Sequence, residues 1–268
     1  MTLFEIFGYI GAIAIGLSLG LIGGGGSILT VPLLVYLFHV EPILATAYSL
    51  FIVGLNALIG SIKYARQGLV NFKVGFVFAT PAFITVYLTR RFLVPNLPDI
   101  WFSLGDITMT KGIGVLVLFA LLMVAAAISM IKKKVYDKEE GNEIKLNIPS
   151  IIIEGSVVGI LTGTVGAGGG FLIIPALVLF ARLPMKMAIG TSLLIIAVNS
   201  LIGFIGDIQV SDHINWIFLL TISVLAMSGI FIGTMLSNKV DNAQLKKGFG
   251  YFVLVMGIFM IIKELFLL

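Results

Sequence analysis

Cysteine is absent from the 268 residues, so disulfides, thiol nucleophiles and thiolate metal sites are all excluded. Histidine occurs only at His39 and His213, which leaves no evident His-based metal centre. Asp, Glu, Lys and Arg together make up 11% of the chain, and no cluster of them marks a catalytic centre or a charge-lined cation pathway. No cofactor is expected, and a membrane enzyme is disfavoured. The amino terminus lacks a basic n-region and a small-x-small cleavage site, so it reads as a retained membrane segment.

What the chain has in abundance is apolar sequence. It is 59% hydrophobic with a mean hydropathy of +1.14, far outside the range of a soluble domain. Apolar runs long enough to cross about 30 Å of hydrocarbon recur along it. A transmembrane barrel would show short alternating segments instead. The expected class is an all-α polytopic membrane protein with lipid as its surroundings. In that setting the net charge of +4 reports orientation and not a nucleic-acid partner.

Two glycine clusters interrupt the apolar runs, LIGGGGSILTVP from Leu21 to Pro32 and VGAGGGFLIIP from Val165 to Pro175. Shifting the sequence so that Gly20 falls on Gly163 brings Gly23, Gly25 and Gly26 onto Gly166, Gly168 and Gly169. The same shift puts Pro32 on Pro175, Ala45 on Ala188, Ser49 on Ser192 and Asn56 on Asn199. Matched Gly, Pro, Ser and Asn rarely arise by chance in greasy sequence, so the chain is an internal duplication. The repeats are 1–131 and 148–268, joined by a polar cytoplasmic linker, 132–147.

Each half opens with an apolar segment (3–22; 148–165), then the glycines, then a short apolar piece (27–38; 170–181). Three longer segments follow (43–62, 74–93, 112–131; 187–206, 214–236, 247–268), giving 8–10 membrane segments in all. The short piece, about twelve helical residues, reaches only about 18 Å. Segment and piece are therefore expected to form a helical hairpin tipped by glycine; the sequence leaves open whether it crosses fully or turns back midway. A hairpin plus three crossings is odd, so the second half is inverted. With the linker inside, all but Arg90, Arg91, Lys111 and Lys263 of the 17 Lys and Arg residues fall inside. That charge bias supports the inverted repeat, set in the inner (cytoplasmic) membrane with both termini outside.

Inverted repeats with broken helices commonly hold substrate near the membrane midplane. Each short helix is expected to begin just after its glycines, at Ser27 or Gly170. Unpaired N–H groups and the helix dipole there suit an anion. The expected binding residues are Gly23, Gly24, Gly25, Gly26 and Ser27, with Gly166, Ala167, Gly168, Gly169 and Gly170. Asn56, Asn199, Ser49 and Ser192 are added as matched polar residues at lipid depth; Thr46, Tyr48, Thr162, Thr164 and Thr191 are weaker candidates. Tight helix packing also uses glycine, and the isolated Gly112 and Gly114 are read that way. Arg90 and Arg91 read as a segment end, Glu154 as a cytoplasmic-edge residue with proton coupling as its alternative role, and Val94–Thr110, with Trp101 and Phe102, as an interfacial lid or anchor.

The motifs G-x-x-G-G-G-G-S-x-x-x-x-P (Gly20–Pro32) and G-x-x-G-x-G-G-G-x-x-x-x-P (Gly163–Pro175) resemble those of the TauE/SafE sulfite exporter family. So do Ala45/Ser49 and Ala188/Ser192 and the asparagines after them. The resemblance covers essentially the whole chain. It implies transport of sulfite, sulfonates such as sulfoacetate, or related sulfur oxyanions, often as export. The second tip departs from the first at Ala167 for Gly24 and at Gly170 for Ser27. An anion channel, or a carrier of a different small anion, stays open, as do proton coupling and oligomeric state.

Overall fold

Backbone polar groups in hydrocarbon must find partners within the protein, and long apolar runs meet that demand by coiling into helices. The computed structural model describes residues 3–104, 107–132, 148–179, 181, 183–209, 214–237 and 242–266. Among these, the first half contains α1 (Leu3–Ile22), α2 (Thr30–Tyr36), α3 (Pro42–Arg66), α4 (Phe72–Leu88) and α5 (Lys111–Lys132). The second contains α6 (Ile148–Val165), α7 (Gly170–Leu179), α8 (Met185–Ile208), α9 (Trp216–Leu236) and α10 (Asn242–Phe266). A 3₁₀ segment, Gly23–Leu29, joins α1 to α2, and a π-turn, Thr89–Leu93, prolongs α4.

Five stretches of described helix are long and apolar enough to span a membrane: Pro42–Arg66, Phe72–Leu93, Lys111–Ser129, Met185–Ile208 and Trp216–Leu236. Large apolar side chains cover the outside, with Ile217 81% and Met235 67% exposed, as a lipid-facing surface requires. The chain is an all-α polytopic membrane protein. A short antiparallel hairpin, β1 (Ile100–Leu104) and β2 (Ile107–Thr110), occupies the stretch expected as a lid or anchor. The Trp101 ring packs over Gly114 at the start of α5, where a side chain would approach it to 2.8 Å. The Phe102 side chain lies outside the described residues, as do the linker beyond Lys132 and residues 210–213.

Helix pairing carries the imprint of the duplication. α1 packs on α9 and α4 on α6; α3 packs on both α8 and α9, α4 also on α8, and α5 on α10. Exchanging the first five helices for the second five maps these pairs onto one another. Their directions are equally consistent. Gly16 faces Ala226 and Gly20 faces Thr234, so α1 and α9 run parallel; Gly155 faces Pro81 and Gly163 faces Thr89, so α6 and α4 do too. Gly54 faces Leu201, Gly60 faces Leu193 and Gly203 faces Leu50, so α3 and α8 are antiparallel. Gly8 faces Phe38 and Gly11 faces Leu33, so α2 doubles back along α1 as a hairpin. If each hairpin were a single broken crossing, α3 and α8 would run parallel. The directions are those of an inverted repeat.

Matching hydrogen bonds repeat the pattern. Asn71 caps α4 by accepting from the Val74 N–H, and Asn215 caps α9 by accepting from the Phe218 N–H. The Asn71 N–H donates to Thr191 Oγ1, and the Asn215 N–H donates to Tyr48 Oη, each reaching into the opposite half. Thr191 and Tyr48 thus tie loops to helices.

The seams between halves depend on missing side chains. A Cβ at Gly16 would overlap the Ala226 backbone, and one at Gly229 the backbone of Ile13. Gly16→Val is expected to lower the melting temperature of the detergent-solubilised protein, overpacking costing about 1–3 kcal/mol. Gly248→Ala, inside α10 with nothing within 4 Å of the added methyl, is expected to leave stability unchanged or raise it by up to about 1 kcal/mol. A thermal melt of both variants checks this.

Candidate functional site

The two glycine tips come together at the centre of the molecule. A Cβ at Gly24 would overlap Gly170 Cα, and one at Gly170 would overlap Gly24 Cα, so the backbones touch where neither carries a side chain. Their depth is set by the helices around them. A side chain at Gly168 would meet Val53, Ile196 and Ser200 Oγ, near the midpoints of α3 and α8. The hairpins themselves run deeper. The Gly20 carbonyl accepts from Tyr64 Oη in the last turn of α3, and Gly163 lies against Thr89 at the end of α4.

The tips differ in backbone. Gly23 and its counterpart Gly166 both take positive φ (71° and 76°), where glycine is nearly free of steric cost. Beyond them the first tip, Gly25 included, coils as 3₁₀ through Leu29, so α2 begins at Thr30 and not at Ser27 as expected. Ser27 is buried and its hydroxyl donates to the Gly24 carbonyl at 2.7 Å, closing the turn on itself. Gly26 packs on the backbone of Leu19. In the second tip α7 begins at Gly170 as expected. There the Leu172 and Ile173 N–H groups donate to the Gly169 carbonyl, and the Gly166 N–H donates to Thr162. Ala167 points away, its methyl buried in an apolar cluster with Ile28, Val31 and Phe119.

Each tip seats on the opposite half. A side chain at Gly23 would lie 3.3 Å from Ser192 Oγ on α8, and Gly166 presses against Thr46 on α3. The antiparallel register of α3 and α8 puts Asn56 and Asn199 level with each other. Asn56 Nδ2 donates to the Ile52 carbonyl at 2.7 Å and to that of Ser223 at 3.4 Å, while its Oδ1 has no partner. Asn199 is buried with neither amide atom partnered, and the hydroxyls of Ser49, Ser200 and Ser223 lack partners as well. Ser192 Oγ donates to the Ile189 carbonyl. A polar atom left without a partner in an apolar interior is costly.

Sequence reasoning missed a charged pair. Arg90, read as a segment end, is fully buried in the π-turn after α4. Its Nη1 donates to Thr46 Oγ1 at 2.9 Å and to Asp207 Oδ1, near the end of α8, at 3.4 Å. Arg90 Nε and Nη2 and Asp207 Oδ2 have no partner. Thr46 touches both the guanidinium and Gly166, so one side chain connects this pair to the second tip. The signal available in the sequence was the acid in the segment G-D-I-Q, Gly206–Gln209, standing where the first repeat has Tyr64.

Paired halves, broken helices meeting at mid-depth and polar groups held inside an apolar shell define a membrane transporter. The chain matches the family model described as "Sulfite exporter TauE/SafE" over residues 9–260. It is 33% identical over 257 residues to a "Probable membrane transporter protein" of Xylella fastidiosa, covering 92% of this chain and 91% of that one. A Bacillus subtilis protein, "Probable membrane transporter protein YunE", is 28% identical over 258 residues, covering 89% and 90%. No solved structure matches. The chain belongs to the TauE/SafE family.

Asp207→Ala would leave the Arg90 charge buried without a counter-ion. It is expected to cost about 3–5 kcal/mol of stability, read as a large fall in melting temperature in anion-free buffer.

Proposed function

We propose that the protein is a secondary carrier that exports small sulfur oxyanions, such as sulfite or sulfoacetate, by alternating access about a midplane site. The observation that carries this reading is the contact of Gly24 with Gly170 at the midpoints of α3 and α8, in a tip whose Gly168 faces the unpartnered Ser200. Tips that touch through bare backbone close the path completely and part without disengaging side chains. When they part, the backbones of Gly23–Ser27 and Gly166–Gly170 and the amides of Asn56 and Asn199 face the anion, with Ser49 and Ser192 behind them. The repeats are 1–131 and 148–268, with the linker in the cytoplasm and both termini outside. A negative-inside potential favours anion exit by about 2.3 kcal/mol per charge per 100 mV, so the reading needs no coupling ion.

Counterflow tests it. Proteoliposomes preloaded with unlabelled sulfite are expected to accumulate labelled sulfite transiently, with competition by sulfonates and not by chloride. Steady conductance without counterflow would instead identify a channel. Gly24→Leu and Gly170→Leu are expected to reduce uptake at least about tenfold, because the wedged tips no longer close. The natural absence of cysteine makes orientation easy to read. Asn96→Cys is expected to react with an impermeant maleimide from outside the cell and Gln67→Cys only after permeabilisation.

A further inference from the structure

Arg90 keeps one edge of its guanidinium without a partner. Of the guanidinium, Nη1 is engaged by Thr46 and Asp207, while Nε and Nη2, which share one edge of the plane, have no partner in a fully buried setting. That edge carries two parallel N–H donors, the geometry that grips two oxygens of one oxyanion. Asp207 does not use it. Its carboxylate reaches only Nη1, at 3.4 Å against about 2.7–2.9 Å for a good charge-assisted bond, and its second oxygen is left over. The pair is a one-point contact, with Nε, Nη2 and the second carboxylate oxygen left without partners.

We propose that the Nε–Nη2 edge of Arg90 is the cationic ligand of a small oxyanion, on the side of the tips towards which α4 and α8 run, and that Asp207 is the competitor that displaces it. The assignment rests on the oxyanion-carrier reading and adds to it a charged subsite. Thr46 supports it twice: its hydroxyl accepts from Nη1 while donating to the Ile43 carbonyl, which orients the guanidinium, and it abuts Gly166. Gly206 packs against Arg90 Cβ and the π-turn turns the side chain inward instead of to the surface. With an anion on the fork, two negative groups share one cation, so binding is weak and release is favoured. Once the anion leaves, Asp207 restores neutrality and the buried charge is never bare.

The test is anion-dependent thermal stabilisation of the purified protein, titrated with sulfite, sulfate and inorganic phosphate. The wild type is expected to bind sulfite saturably. Asp207→Asn, which removes the competitor, is expected to bind it several-fold more tightly. The neutral double variant Arg90→Gln with Asp207→Asn is expected to lose affinity by about tenfold or more, the weight of a charge-assisted hydrogen bond. Arg90→Lys, a point charge without the fork, is expected to lie between. A double variant that binds sulfite as the wild type does would overturn the assignment while leaving sulfite carriage intact. Should the double variant fail to fold, Arg90→Lys, which keeps the charge beside Asp207 and removes only the fork, decides: sulfite binding as tight as the wild type's sinks the proposal. Arg90-dependent binding of phosphate or sulfate with none of sulfite would keep the fork and remove the sulfur reading. If the wild type responds to none of the three, both fall.

Discussion

Helices already in lipid gain little by burying one leucine against another, because the solvent they leave is as apolar as the neighbour they meet. What holds these helices together is close backbone approach. Along α1 and α9, Gly16, Gly20, Gly229 and Gly233 let the two helices touch main chain to main chain, and Gly155, Gly159 and Gly163 do the same for α6 and α4. Everything at the centre hangs from these seams. With α1 held to α9 and α6 held to α4, each hairpin is anchored on the opposite half, and its tip is delivered to mid-depth. The contact of Gly24 with Gly170 repeats the principle where the chain is broken.

Symmetry and departure from it divide the labour. The loop ties, Asn71 to Thr191 and Asn215 to Tyr48, repeat across the halves and fix where α4 and α9 begin. The far ends do not repeat. Tyr64 binds the Gly20 carbonyl at one end, whereas at its counterpart position Asp207 meets a buried arginine. At the tips, Gly24 and Gly170 are bare while Ala167 and Ser27 carry side chains turned to packing and to a local hydrogen bond. An exact twofold would make both faces of the membrane equivalent. These substitutions give the molecule sidedness.

Much of this was legible in the residues. The duplication, the hairpins and the inversion follow from matched Gly, Pro and Asn and from charge bias, because each reports a local or periodic constraint. The start of α2 was misplaced by one turn. Glycine permits 3₁₀ as readily as a break, and which one wins depends on how Gly26 packs on Leu19. Ala167 sat within the glycine motif, yet its methyl belongs to an apolar cluster that only the tertiary fold assembles. Arg90 was hidden for a different reason. An arginine near the end of an apolar run is ordinarily an interface anchor. Its burial depends on a π-turn and on an acid 117 residues away, neither of which leaves a periodic trace.

The pairing of α1 with α9 has a consequence for how the protein is made. Among the described residues these are the first and the ninth helices, one in each repeat. At roughly 5–20 residues per second, a ribosome takes about 10–40 s to travel the roughly two hundred residues between them. For that interval α1 sits in the bilayer with its glycine face against lipid, and the first tip has no α8 to seat on. A nascent chain that waits so long for its partner offers that bare stripe to any insertion factor or neighbouring helix within reach.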